Sequence, residues 1–184
     1  NTQDITVNTG GWVGTASYTA DGTEMKVYGN IVDFRCDDNR ANLTAIDLSH
    51  NTELENLYCN GNKLTTLDVS KNTQLTGLYC SYNTLSSLDV SKNTQLTRLW
   101  CGDNNLSNLD VSKNTQLIGL YCSGNSFSTS ALDDIYCALP DRTGKESGVI
   151  QPVYSDTSSN HATVIATNKA NAIAKNWNVQ YYKN

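Results

Sequence analysis

Apolar residues recur along the middle of the chain in one frame, L-x-x-L-x-C-x-x-N-x-L, every 21 residues. Leu54, Leu75, Leu96 and Leu117 open it, and Leu57, Leu78, Leu99 and Leu120 follow. Cys59, Cys80, Cys101 and Cys122 come next, then Asn62, Asn83, Asn104 and Asn125. Leu64, Leu85, Leu106 and Phe127 close the phrase. A looser first copy has Ile31, Phe34, Cys36, Asn39 and Leu43, with two extra residues before Leu43. Between copies runs LDVSKN, or IDLSHN in the first link. Alternation within Leu78-Tyr79-Cys80 predicts a strand with Leu78 and Cys80 inward and Tyr79 outward. SLDVS also alternates, so Leu88 and Val90 face in from a short extended stretch rather than a helix. One copy cannot bury its own apolar side chains. Copies therefore stack as rungs, with parallel strands about 4.8 Å apart.

Either side of the repeats the pattern changes. DITVN, WVGTASYTA and TEMKVYG alternate, and Gly10-Gly11 and Asp21-Gly22 mark turns, so residues 1–30 predict short strands capping the stack. After Phe127 the period stops. Ser130 and Asp133 suggest a capping box, Leu132, Ile135, Tyr136 and Leu139 fall at helical spacing, and Pro140 ends the helix. DRTGKESG reads as a loop and VIQPVY as a strand. The Ala-rich stretch 162–175 reads as a second helix and WNVQYY as a last strand.

These repeats resemble the leucine-rich repeat family. Their 21-residue length, with Cys at a usual Leu site, is similar to short internalin-type (internalin J-like) repeats and to surface leucine-rich repeat proteins of Bacteroidetes. The resemblance covers roughly residues 31–130. It implies an α/β fold: a right-handed solenoid with a concave parallel β-sheet, short extended convex segments, a β-rich N-terminal cap and an α/β C-terminal cap. The tail ALPDRTG, ATNK and W-x-V is similar to that of the Bacteroidetes proteins, which implies an integral cap. The chain then divides as a single domain: cap 1–30, about five repeats over 31–130, and cap 131–184. The resemblance also implies a bacterial extracellular or cell-surface location.

Several columns read as scaffold. An Asn amide has both donors and an acceptor, so the column from Asn39 to Asn125 suits bridging one turn to the next. A straight file of Cys cannot make a zinc tetrahedron, and parallel Cβ atoms about 4.8 Å apart lie just outside disulfide range. Buried free thiols acting as small hydrophobes are the expectation, with Cys137 apart on the helix, off its apolar face. Asp47, Asp68, Asp89 and Asp110 form a column that could bind calcium, but one carboxylate per rung suits turn bonding better.

The remaining outward positions vary. The central file is Arg35, Tyr58, Tyr79, Trp100 and Tyr121. Two residues earlier are Asp33, Asn56, Gly77, Arg98 and Gly119, with the glycines expected to leave the flanks of Tyr79 and Tyr121 uncovered. Past the cysteines come Asp37, Asn60, Ser81, Gly102 and Ser123, then Asp38, Gly61, Tyr82, Asp103 and Gly124. Tyr, Trp and Arg are the residues of binding hot spots. Candidate partner-binding residues are thus Arg35, Tyr58, Tyr79, Tyr82, Arg98, Trp100, Asp103 and Tyr121. The rings also suit sugars, or simple packing on one another.

Composition narrows the function. The chain has 184 residues, 38% apolar, and a net charge of -5 without Lys or Arg runs, which argues against nucleic acid or an anionic membrane as partner. It opens at Asn1, as expected of a trimmed product, without a signal peptide. The two histidines, His50 and His161, have no partner evident from spacing, and no phosphate loop, dinucleotide fingerprint or paired metal ligands appear. The expectation is a binding module without catalytic residues, metal or other cofactor. Its partner is a protein on a host or neighbouring cell. A glycan ligand and a structural spacer are the alternatives.

Overall fold

The computed structural model describes residues 2–6, 24–28, 31–37, 43–155, 163 and 167–182. Its main element is a parallel sheet in the order β10-β9-β8-β7-β6-β5-β3. The repeat strands are β3 (Asp33–Arg35), β5 (Asn56–Tyr58), β6 (Gly77–Tyr79), β7 (Arg98–Trp100) and β8 (Gly119–Tyr121). β9 (Gly148–Ser155) and β10 (Trp177–Tyr182) extend the same sheet beyond the last repeat. Three residues per strand suffice because each rung turns away at both ends. The sheet grows by stacking, not by strand length.

Pairing follows the 21-residue step without slippage. Leu57 sits opposite Leu78, Leu78 opposite Leu99, and Leu99 opposite Leu120. These leucines, the four cysteines from Cys59 to Cys122, and Leu64, Leu85 and Leu106 are fully buried in one continuous core. Val69, Val90 and Val111 close the core from the convex side. All six cysteines are free; Cys59, Cys80, Cys101 and Cys122 are buried, as expected of the column, and Cys137 is exposed. Burial pushes the Cys80 and Cys122 thiols from an ordinary 9.0 up to about 12. Cys36, aided by Asp37, also rises to about 12.

Two amide ladders tie the rungs. Asn104 Nδ2 donates to the Cys101 carbonyl of its own rung at 3.2 Å and to the Cys80 carbonyl of the rung before at 3.0 Å. Its Oδ1 accepts from Leu85 N–H at 2.9 Å. On the opposite side Asn93 Nδ2 bonds the Val69 and Asn72 carbonyls at 3.0 and 2.8 Å. Asp47, Asp68, Asp89 and Asp110 each accept from the N–H two residues on, at 2.8–3.0 Å, as the turn reading expects. Among the described residues no His, Cys, Asp and Glu group could hold a metal ion.

The ends differ in part from the sequence reading. β1 (Thr2–Thr6) pairs parallel with β2 (Glu24–Tyr28), which pairs parallel with β4 (Ala45–Asp47), the convex segment of the first link. The N-terminal strands thus extend the convex side. WVGTASYTA, both predicted turns and Asn39 lie outside the described residues. α1 (Thr129–Ala138) is capped by Ser128, whose Oγ accepts from Ala131 N–H at 3.1 Å, two residues before the expected Ser130. Ser130 Oγ instead lies 3.0 Å from that of Ser128. The Ala-rich stretch is not one long helix. Thr167–Lys169 form a turn, and α2 is only Ala170–Ala174. Asn168 N–H donates to Asp133 at 2.8 Å, which fixes that turn against α1.

Candidate binding face on the concave sheet

The central outward file is continuous. Tyr58, Tyr79, Trp100 and Tyr121 stand opposite one another in register on four adjacent strands. The Tyr58 and Tyr79 rings stack 4.5 Å apart at 5°. Trp100 meets Tyr79 edge-on at 5.3 Å and 66°, and Tyr121 at 4.8 Å and 53°. At the N-terminal end the Arg35 guanidinium lies 3.7 Å over the Tyr58 ring. Partial burial, reinforced by the Tyr58 phenol, raises the Tyr79 hydroxyl pKa; Arg98, hydrogen-bonded to it, partly offsets this. The rings therefore pack on one another, as parallel strands in this register require. Trp100 remains 40% exposed.

No family model matches the chain, and no curated protein matches it. Solved structures do. The functional domain of InlJ from Listeria monocytogenes, described as including a cysteine ladder, is 25% identical, with a TM-score of 0.61 over 83% of this chain. InlF, an internalin from the same species, is 19% identical, with a TM-score of 0.57 over 86% of this chain. The cysteine column, the register and these likenesses agree. The chain has the fold of an internalin-like leucine-rich repeat solenoid. The internalin-like chain spans 29% of the InlJ chain and 46% of the InlF chain that it matches.

Two surface expectations for the internalin-like chain need revision. Gly77 and Gly119 do not leave the neighbouring rings bare; both are buried beneath them. A Cβ on Gly77 would lie 2.9 Å from the Tyr79 ring and 2.6 Å from Asn56 Oδ1. One on Gly119 would lie 3.5 Å from the Tyr121 ring. Each tyrosine leans back into the space its glycine provides, which seats the ring on the sheet. The file also runs on past the repeats. Gln151 of β9 stands opposite Tyr121 and is buried there. The signal for Gln151 was weak, because β9 follows a helix and a loop and breaks the 21-residue count.

The last outward column carries a backbone constraint. Gly61, Tyr82, Asp103 and Gly124 share one left-handed conformation, with φ of 67°, 56°, 50° and 68°. A readable sign existed: two of these four copies are glycine. Tyr82 is 60% exposed, and Asp103 is half-buried with its carboxylate over Gly124. The strands thus bring Arg35, Tyr58, Tyr79, Trp100 and Tyr121 into one file. Arg98 stands beside it, while Tyr82 and Asp103 lie in the turn that follows the strands.

Proposed function

We propose that this chain is a non-enzymatic binding module that recognises a protein partner across its concave sheet, outside a bacterial cell. It works as a single domain, with residues 1–30 and 131–184 sealing the solenoid of 31–130. The partner-binding residues are Arg35, Tyr58, Tyr79, Tyr82, Arg98, Trp100, Asp103 and Tyr121. One observation carries this reading: four rings and a guanidinium form an unbroken file across five paired strands of a rigid sheet. Large rings placed in advance lose little conformational freedom on binding. The InlJ and InlF likenesses support a protein-interaction role. Among the described residues no helix is long and apolar enough to cross a membrane.

Glycan capture is the second reading. It is favoured by the angles of 66° and 53° at Trp100, so neither neighbour stacks parallel on that indole. The test is photo-crosslinking from the concave face into host- and neighbour-cell surface extracts, beside a glycan array, for the parent and Trp100→Ala. Crosslinked protein peptides that disappear with Trp100→Ala support the proposal. Array binding without crosslinks transfers the site to glycans. Absence of both leaves a spacer.

A further inference from the structure

The left-handed turn after each strand works without a side chain. Gly61 N–H donates to Ser81 carbonyl at 3.0 Å, Tyr82 N–H to Gly102 carbonyl at 3.0 Å, and Asp103 N–H to Ser123 carbonyl at 2.8 Å. The bond is the same whichever residue occupies the turn. Glycine accepts positive φ freely, whereas a residue with a Cβ is disfavoured there. Tyr82 and Asp103 nevertheless occupy consecutive turns at φ 56° and 50°. Tyr82, at 60% exposure, gains little from packing. Strain retained at an exposed aromatic position, with no structural return, points toward use.

The surroundings indicate what is used. Tyr82 and Asp103 stand one rung apart, about 4.8 Å by strand spacing. Trp100 lies two residues before Gly102, the residue that receives the Tyr82 N–H. Tyr82 and Trp100 are both exposed. The patch combines two rings with a carboxylate. Gly61 and Gly124 leave the turns on either side without side chains. A ring face beside a carboxylate suits a cation, above all a flat guanidinium. The same sheet already shows that contact once, with Arg35 over Tyr58 at 3.7 Å. Arg98, on the same rung as Trp100, is engaged with the Tyr79 hydroxyl. The net charge of -5 favours approach of a basic segment.

We infer that the concave-face site is centred on Tyr82, Trp100 and Asp103 and takes an arginine- or lysine-bearing segment of its protein partner. This inference rests on the protein-binding reading above.

The experiment titrates the full chain with a hexa-arginine peptide and, separately, with chitohexaose, following the heat of binding by calorimetry. The variants are Tyr82→Gly, Asp103→Gly, Trp100→Ala and, on the convex side, Asp89→Asn. Tyr82→Gly and Asp103→Gly should each weaken peptide binding about three- to tenfold. Tyr82→Gly should also raise the melting temperature by about 2–4 °C, because the strain is gone. Asp89→Asn should leave affinity unchanged. A fall in melting temperature on Tyr82→Gly overturns the strain argument. Equal loss on Asp89→Asn means diffuse charge attraction and overturns the site. Binding of chitohexaose but not the peptide, still lost with Trp100→Ala, overturns the cation and retains the concave face. If Trp100→Ala changes neither titration and also leaves the surface-extract crosslinks intact, the concave-face reading falls as well.

Discussion

Asn83 Nδ2 reaches the Cys59 carbonyl of the preceding rung at 2.9 Å and the Cys80 carbonyl of its own at 3.1 Å, while its Oδ1 takes the Leu64 N–H at 3.0 Å. One buried side chain therefore satisfies backbone groups on two successive rungs. A parallel three-residue strand leaves those groups without a ladder partner, and an unpaired buried group costs about 1–3 kcal/mol.

Asn83→Leu should destabilise the chain by about 3 kcal/mol, since volume is kept and several backbone groups lose their bonds. Urea unfolding should show the loss. Hydrogen exchange should show it concentrated at Leu64 and Leu85, on either side of the broken joint. A uniform, small effect would mean that the amide ladder is decoration.

The buried thiols predict an alkaline limit. Cys36, Cys80 and Cys122 rise from 9.0 to about 12, and Cys59 and Cys101 well above their ordinary value, all chiefly through burial. The folded state thus holds these protons more tightly than the unfolded one. Their stabilisation is complete below pH 9 and is lost as pH rises toward 12. The loss is about 1.4 kcal/mol per thiol for each pH unit in that window. Native labelling with a thiol reagent at pH 8 should modify Cys137 first, and all six thiols should react only in denaturant. Rapid native labelling of Cys80 or Cys101 would contradict the core assignment.

The two seat glycines should behave differently. Gly77→Ala places a methyl 2.6 Å from Asn56 Oδ1 and 2.9 Å from the Tyr79 ring, so the Tyr58–Tyr79 stack must shift. It should cost about 1–2 kcal/mol. Gly119→Ala meets ordinary contacts at 3.5 and 3.9 Å. It should be neutral or stabilise by about 0.5 kcal/mol, through a less disordered unfolded chain. Thermal melts of the two single variants decide this.

The convex aspartates offer a control. The Ser91 N–H bond holds the Asp89 carboxyl below its usual range, and at Asp68 the Ser70 side chain leads. Their contribution is present above about pH 4 and falls away as acid protonates the carboxylate. Asp89→Asn keeps the acceptor and should be near neutral. Asp89→Ala should cost about 1 kcal/mol, measured by urea midpoint.

Much of the solenoid was legible because a 21-residue repeat specifies its own register. Once Leu78 and Leu99 are equivalent, they must be neighbours, and Tyr79 and Trp100 with them. The ring file followed from the same count. What the count could not supply was conformation within a column. Tyr82 and Asp103 hid a left-handed turn that Gly61 and Gly124 announce. Nor could it show that Tyr79 folds back over Gly77, because ring direction depends on the neighbouring side chain, Asn56. Beyond Phe127 each element occurs once, so no second copy could move the expected cap from Ser130 to Ser128.

Because Tyr58–Tyr79, Tyr79–Trp100 and Trp100–Tyr121 are joined by the same backbone geometry, any whole unit can be copied or excised in frame and the cut ends still match. Gain or loss of one repeat unit would then lengthen or shorten the aromatic file by one ring at a time, without redesign of either end.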